Sequence, residues 1–346
     1  MEYTPTKLQS TQAIDCLLAI SPDDFEQFFE LKPDDLSQSL GISVAKLKEK
    51  PKDQNVWLKL LQEHNPSAII TGWGSPGLPE NYLEYCPNLR YVCHLCGEVS
   101  RLVSRKMIDQ GLLVSNWGPS ISPIVAECVL LLMLASLRQL TKFDRLLHTP
   151  DGWREPTIEP RSLRDRTVGI HGFGNIASKL THLLEPFNTK ITSFCPGVPD
   201  QILQDHNVTR VNNLDTLFEN SDIVVELEAL TKKSQGMVTK QQFRKMKTGG
   251  IFVNVGRGKV VNQDDLIEAA MTQDITVALD VYEEEPLPSD SPLRNLPNAI
   301  LLPHIGGPTL DRRKNCGNIA TENLMKFFSG KPIENLITPQ VFDRIT

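Results

Sequence analysis

The sequence has no surplus of cationic charge: 36 Lys and Arg stand against 42 Asp and Glu, a net charge of −6 with His neutral. A protein that grips a phosphate backbone needs the opposite balance, so no nucleic-acid partner is expected. Long hydrophobic runs are missing too. The longest, "VLLLMLA" at Val129–Ala135, is well short of the roughly 20 apolar residues that span a bilayer. The first ten residues, "MEYTPTKLQS", lack the apolar stretch of an export signal. The expectation is a cytoplasmic protein with no membrane partner. Nor is there a cysteine framework. The seven cysteines, Cys16, Cys86, Cys93, Cys96, Cys128, Cys195 and Cys316, are odd in number and irregular in spacing, which argues against disulfides. Cys93 and Cys96 enclose His94 in a C-x-x-C, but no second ligand pair follows at a matching spacing. No metal site is expected, and reduced thiols at a strand end are the simpler reading. Internal repeats and low-complexity tracts are also absent.

What is present is a chain of 346 residues with 40% hydrophobic and 23% charged content, ordinary for a globular protein and long enough for two cores. Apolar runs alternate with amphipathic ones, the pattern of βα units and a parallel sheet. A first α/β region has strands at Ala13–Ile20, Ser67–Trp73, Leu89–Leu95 and Leu112–Asn116, with helical patterns such as Asp23–Glu30 and Val103–Gln110 between them. A long apolar helix then covers Ser122–Leu147, with Pro123 in its first turn. The proline-rich, charged stretch His148–Arg166 reads as a loop. From Thr167 a second region has six or seven strands with crossover helices, as a doubly wound sheet requires. The fold class is therefore α/β, with two flavodoxin- or Rossmann-like domains. Residues 1–114 with 310–346 form one, and residues 115–309 form the other, with a cleft between them.

The stretch "TVGIHGFGNIASKL", Thr167–Leu180, carries Gly172, Gly174 and Ala177 in a G-x-G-x-x-A run. A strand precedes it, a helical pattern follows, and "KITSFC" supplies the next strand, which is the context a dinucleotide cradle needs. Gly172 would permit the tight turn, Gly174 the approach of a pyrophosphate, and Ala177 close helix–strand packing. The amides of Asn175 and Ile176, at the helix N-terminus, would meet the phosphates. The fingerprint lacks one part. The ribose carboxylate is expected at the end of the second strand, and Cys195 stands there instead, in "SFCPGVPD". No acid appears until Asp200, beyond Pro196 and Pro199, and no cation stands in this loop, so both NAD and NADP stay open.

Three later segments each end a strand: "VNVGRGKVVN" (Val253–Asn262), "ALDVYEEEPLP" (Ala278–Pro288) and "LLPHIGGPT" (Leu301–Thr309). They carry Arg257, a glutamate from the run Glu283–Glu285, and His304 at the sheet edge where ligands of open α/β sheets bind. With the glycine run, in this order, they resemble the D-isomer-specific 2-hydroxyacid dehydrogenase family. "VAECVLLLMLASLR" (Val125–Arg138) is similar to that family's interdomain helix. The resemblance covers nearly the whole chain.

The resemblance implies reversible hydride transfer between a nicotinamide cofactor and a 2-hydroxy acid/2-oxo acid pair, by a homodimer. Arg257 would hold the substrate carboxylate in a fork of two N–H bonds. His304 would exchange the hydroxyl proton, and Glu285, the acid directly before Pro286, would hold the imidazole. Asp280, Val255, Gly256, Gly306 and Gly307 would border the nicotinamide. Gly97, Glu98 and Val99 would offer backbone amides to the substrate. His171 reads as packed under the turn rather than catalytic. Two departures stand out: "LCGEVS" puts Glu98 where many members have a glycine-rich run, and "ELEALT" puts Glu226 and Glu228 beside the expected adenosine site, as solvated loop charges or as ligand contacts. The alternative to an enzyme is a nicotinamide-sensing binding protein of the corepressor kind.

Overall fold

The computed structural model describes residues 14–51 and 53–344. The reading of residues 1–10 as lacking an export stretch lies outside them. Two compact units are formed: one from the residues up to Ser120 with those from Leu310 onward, the other from Ile121–Thr309.

The first unit holds β1 (Cys16–Ala19), β2 (Val44–Lys46), β3 (Ala68–Thr71), β4 (Tyr91–His94) and β5 (Leu113–Ser115). They form a parallel sheet in the order β2-β1-β3-β4-β5, the flavodoxin order. One face, with Leu17, Ala19, Ile69, Val92 and Val114, packs on Trp57 and Leu61 of the helix Gln54–His64. On β4, Tyr91 meets Phe327 of the helix Arg313–Phe328 at 5.1 Å between ring centres. This contact ties the C-terminal segment to the first unit. So does Gly317, where a Cβ would collide with the Phe28 carbonyl. β2 escaped the sequence reading because it is a three-residue, half-exposed edge strand with no apolar run to mark it.

The second unit holds β6 (Thr167–His171), β7 (Lys190–Phe194), β8 (Val208–Arg210), β9 (Ile223–Glu226), β10 (Gly250–Asn254), β11 (Ile275–Leu279) and β12 (Ala299–Leu301). All pairings are parallel, in the order β12-β11-β10-β9-β6-β7-β8. The strand order reverses between β6 and β9, which makes that point the expected ligand crevice. The side-chain period of two builds a core on each face. Ile223, Val225, Ile251 and Val253 join Val129, Met133 and Leu180 in one. Val224, Phe252, Val277 and Leu279 join Leu217, Phe243 and Leu266 in the other. Both faces are covered, so the sheet is doubly wound.

Three sequence expectations are corrected here. The helix expected over Ser122–Leu147 is two, Ser122–Leu137 and Leu140–Leu147, broken where Gln139 adopts φ 52°. The units part at Ser120/Ile121 rather than at 114/115, because the segment after β5 stays bound to the first unit. Asn116 Nδ2 donates to the Gly97 carbonyl at 2.6 Å, and Gly118 packs on Asn335. Finally, the short run Val129–Ala135 sits inside a helical stretch Gly118–Leu137 with mean hydropathy 2.0, long and apolar enough by length and composition to cross a bilayer. Half of that window is buried, and Val125, Ala126, Val129, Leu132 and Met133 belong to a core of the second unit.

Candidate active site

The glycine run lies at the crevice. Gly172 takes φ +79°, a conformation open to glycine, and a Cβ there would sit 2.6 Å from Glu228 Cα. Gly174, at the start of the helix Asn175–Leu184, has nothing within 4 Å of where a Cβ would be. Asn175 and Ile176 are in the first turn, where amides have no acceptor inside the helix. Ala177 is fully buried against the sheet. A close-packed first glycine, open space at the second and a ten-residue helix aimed at it suit a pyrophosphate. The residues therefore fit a dinucleotide.

The three strand-end segments converge on the same sheet edge. His304 Nδ1 and Glu285 Oε2 are 2.5 Å apart. The other Glu285 oxygen accepts from the Tyr282 amide at 2.9 Å. The bond to Glu285 raises the His304 pKa above the ordinary imidazole value, against burial. For Glu285, burial acts upward but is outweighed by the His304 bond, the Tyr282 amide and the charges of His304 and Arg257, so its pKa is lowered. Arg257 is thus close enough to act electrostatically on both partners. Its turn is built by Asn254, whose Oδ1 accepts from Gly256 N at 3.0 Å and whose Nδ2 donates to Arg257 O at 3.3 Å. Gly258 brings this turn against the Glu285 loop, since a Cβ there would collide with the Tyr282 carbonyl. Asn254 and Tyr282 escaped the sequence reading. Both act through backbone hydrogen bonds, which leave no signature in spacing.

Asp280 is buried, and its two oxygens accept from Ile305 N and Gly306 N, each at 2.7 Å. These bonds anchor the loop just after His304, which itself holds φ 55°. A residue with a Cβ takes that conformation only when its surroundings impose it. Gly306 is needed for the approach, because a Cβ would lie 2.7 Å from Asp280 Oδ2, whereas Gly307 faces open space. Val255 and Gly256 are buried at the end of β10. Gly256 packs against the Glu226–Leu227 backbone, with a Cβ position 3.1 Å from Glu226 O.

Other expected site residues are placed differently. Cys195 turns into the core, 2% exposed, so its thiol is not offered to a ribose. The cation that this loop lacks in sequence comes from β8. Arg210 donates to the carbonyls of Cys195 (3.1 Å) and Val198 (2.5 Å), and pairs with Asp200 at 2.5 Å. Glu226 is not a solvated loop charge. It is fully buried, opposite His171 in the β6–β9 register, with His171 Nδ1 at 2.6 Å from Oε2 and the Glu228 amide on Oε1 at 2.8 Å. His171 is packed under the turn as expected and stacks on Phe194 at 5.7 Å. Burial raises the Glu228 pKa.

In the first unit, Glu98 turns to its own loop. Its Oε1 accepts from Ser100 Oγ at 2.8 Å and lies 3.7 Å from Arg101 Nε. Val99 is buried, and among the described residues the amides of Gly97, Glu98 and Val99 have no acceptor. The C-x-x-C residues Cys93 and Cys96 are buried free thiols whose pKa is pushed up by burial. His94 between them bonds Thr71 at 2.9 Å, and burial lowers its pKa to about 4.

Comparison with known proteins gives a consistent picture. A family model described as "D-isomer specific 2-hydroxyacid dehydrogenase, NAD binding domain" matches residues 130–306. The glyoxylate/hydroxypyruvate reductase B of Pectobacterium carotovorum is 31% identical over 273 residues, 78% of this chain and 85% of that enzyme. The protein of the same name from Yersinia pestis is 29% identical over 295 residues, 84% of this chain and 89% of its own. Among solved structures, the D-mandelate dehydrogenase of Rhodotorula graminis superposes with a TM-score of 0.80 at 21% identity, over 94% of this chain and 97% of that one, a likeness of fold.

Proposed function

The chain belongs to the D-isomer specific 2-hydroxyacid dehydrogenase family, and from that premise we propose that Arg257, Glu285 and His304 are its catalytic residues and that the second unit holds the cofactor. The protein is a nicotinamide-linked oxidoreductase that moves a hydride between a hydroxy acid and an oxo acid. The observation that carries the residue assignment is the 2.5 Å His304–Glu285 bond, held beside Arg257 on the sheet that bears the glycine cradle.

Bound nicotinamide supplies or accepts the hydride. The rest falls to the chain. With Nδ1–H donated to Glu285, His304 keeps Nε2 for the substrate oxygen. In reduction, Nε2–H gives its proton to the oxo oxygen as C2 gains the hydride; in oxidation, neutral Nε2 takes the hydroxyl proton back. Glu285 stabilises the imidazolium in both directions. Arg257 orients the carboxylate through paired N–H bonds. Gly97, Glu98 and Val99, with three amides free of acceptors, are proposed for substrate binding within the first unit. NAD and NADP are both proposed, because no acid stands on the loop after β7 before Asp200, and that carboxylate is already paired with Arg210. A homodimer is proposed from the exposed Leu131 on the apolar helix Ser122–Leu137 and the exposed Leu140 and Leu147 on the amphipathic helix Leu140–Leu147.

The test is absorbance of the reduced nicotinamide with a panel of 2-oxo acids, using NADH and NADPH in turn. Turnover with at least one acid is expected. Tight cofactor binding without turnover on any acid would favour the sensor reading instead.

Asp280 is proposed as a positioning residue. Asp280→Asn replaces one acceptor oxygen with an NH2 that faces a backbone amide, so the loop carrying His304 must shift. A shift of about 1 Å costs on the order of 100-fold in kcat. Cofactor affinity measured by fluorescence titration separates this from loss of binding, and a wild-type kcat in the variant would refute the role.

A further inference from the structure

A pyrophosphate held by the cradle of the second unit would sit among carboxylates. Glu226 ends β9 and is fully buried. Glu228 follows, with its backbone on the first glycine of the cradle: a Cβ on Gly172 would lie 2.6 Å from Glu228 Cα and 2.8 Å from Glu228 N. No lysine or arginine stands in either stretch, "HGFGNIAS" at His171–Ser178 or "ELEALT" at Glu226–Thr231. Lys179, Lys232 and Lys233, just beyond them, are exposed. Arg210, at the end of β8, is paired with Asp200 at 2.5 Å. An anion at this edge gains from a counter-charge beyond the amides of the helix Asn175–Leu184. His171, directly before Gly172, is the one buried side chain of the two stretches able to carry it.

His171 is built into the cradle. Its Nδ1 lies 2.6 Å from Glu226 Oε2, and the other Glu226 oxygen accepts from the Glu228 amide at 2.8 Å. The His171 carbonyl accepts from Leu227 N, and Gly172 N donates to the Phe194 carbonyl, each at 2.9 Å. The pair and the turn of the cradle are therefore one hydrogen-bonded unit. The second ring nitrogen, Nε2, is buried without a hydrogen-bond partner among the described residues. Packing gives no reason for such an atom, since an apolar side chain would fill the place without leaving a polar group open. Glu226 and Glu228 are the charges that act on the ring. β7 contributes the uncharged Phe194 ring, 5.7 Å away between centres, and Cys195 after it is a buried free thiol. His206 belongs to the cradle helix instead, bonded to Ser178 Oγ at 3.1 Å and Thr181 Oγ1 at 3.3 Å.

We propose that the buried imidazolium of His171, held by Glu226, is the counter-charge for the dinucleotide's pyrophosphate, so that cofactor affinity depends on the charge of His171. The proposal rests on the reading of the second unit as the holder of the cofactor. His171 and Gly174 are three residues apart, a span of at most about 11 Å. A unit charge at that range in partly buried surroundings changes the affinity for an anion by about 10-fold. Its loss leaves the charges of Glu226 and Glu228 unopposed. Burial lowers the His171 pKa, but the charge and bond of Glu226 outweigh it and the net shift is upward. Binding is therefore full at low pH and weakens as pH rises through that raised value.

The test is the dissociation constant of ADP-ribose, measured by calorimetry on the full-length protein from about pH 6 to about pH 9. This probe carries the pyrophosphate but no nicotinamide, so it does not report on His304. Wild-type affinity falls by about 10-fold across the range. Glu226→Gln moves the midpoint to lower pH, and the double variant His171→Ile with Glu226→Leu gives a flat profile. By linkage, ADP-ribose raises the His171 pKa in wild type by about one unit, read from the imidazole carbon shifts without any variant. A flat wild-type profile, a slope unchanged in the double variant, or a His171 pKa that ADP-ribose leaves in place overturns the proposal. Binding that titrates as expected without turnover of any 2-oxo acid supports it while the hydride-transfer reading fails. Turnover with a flat ADP-ribose profile overturns it and leaves that reading intact.

Discussion

His304→Ala is expected to lower kcat about 1,000-fold while the dissociation constant for reduced cofactor stays within about threefold, because the side chain acts on the proton and not on the dinucleotide. Arg257→Ala is expected to lose a similar factor in kcat/KM, with Arg257→Lys recovering little, since an ammonium cannot present two parallel N–H bonds to a carboxylate. A wild-type kcat in either alanine variant would sink the assignment. The pH profile reads the same site independently. Reduction needs protonated His304, whose pKa is raised above the ordinary imidazole value mainly by its bond to Glu285. The reductive rate is therefore full at low pH and falls as pH rises through that raised value. Oxidation needs the neutral ring and runs the opposite way. In Glu285→Gln the imidazolium loses its carboxylate, so the midpoint for reduction moves to lower pH. A midpoint that stays put would separate Glu285 from His304.

The second large effect belongs to the pair buried beneath the cradle. Glu226→Leu leaves His171, 1% exposed, without its carboxylate, and His171 Nε2 already has no hydrogen-bond partner. Breaking a buried pair by removing one partner costs about 3–5 kcal/mol, a loss of roughly 10 °C in melting temperature for a unit of this size. The double variant His171→Ile with Glu226→Leu is expected to regain most of that loss, because two packed apolar side chains need no partner, while the Glu228 amide is left without the Glu226 oxygen it donates to. Additive losses in the double variant would show that the two residues act separately. The pair also links stability to pH. Burial lowers the His171 pKa, but the charge and hydrogen bond of Glu226 outweigh it, and the net shift is upward. That contribution is fully present below the unfolded imidazole value and is lost as pH rises through the raised folded value. Wild type should show this alkaline loss and the double variant should not.

Much of the site was legible because catalytic groups in open α/β sheets follow strand ends. Arg257 and His304 could be placed after β10 and β12 by finding where apolar runs stop, and the cradle by a strand, a glycine run and a helix in succession. Glu285 needed the family resemblance, since Glu283 and Glu284 stand beside it with equal local claims. The structure orients the three acids differently: all three are exposed, but among the described residues only the Glu285 carboxylate accepts from the Tyr282 amide and meets the imidazole.

The sequence by itself determined the class of fold, the order of its elements, and the residue types gathered at the carboxyl edge, because hydrophobic period and turn chemistry are local properties of the chain. Tertiary structure alone decided which charges face a ligand. Glu226 is buried because β9 pairs in register with β6 and sets it opposite His171. Arg210 reaches the loop after β7 because β8 lies beside it. Trp117 rests on Gly97 because β4 and β5 are neighbours. Each contact joins residues about 15 to 55 positions apart across neighbouring parallel strands. The crossovers between such strands leave no periodic trace of which side chains will meet.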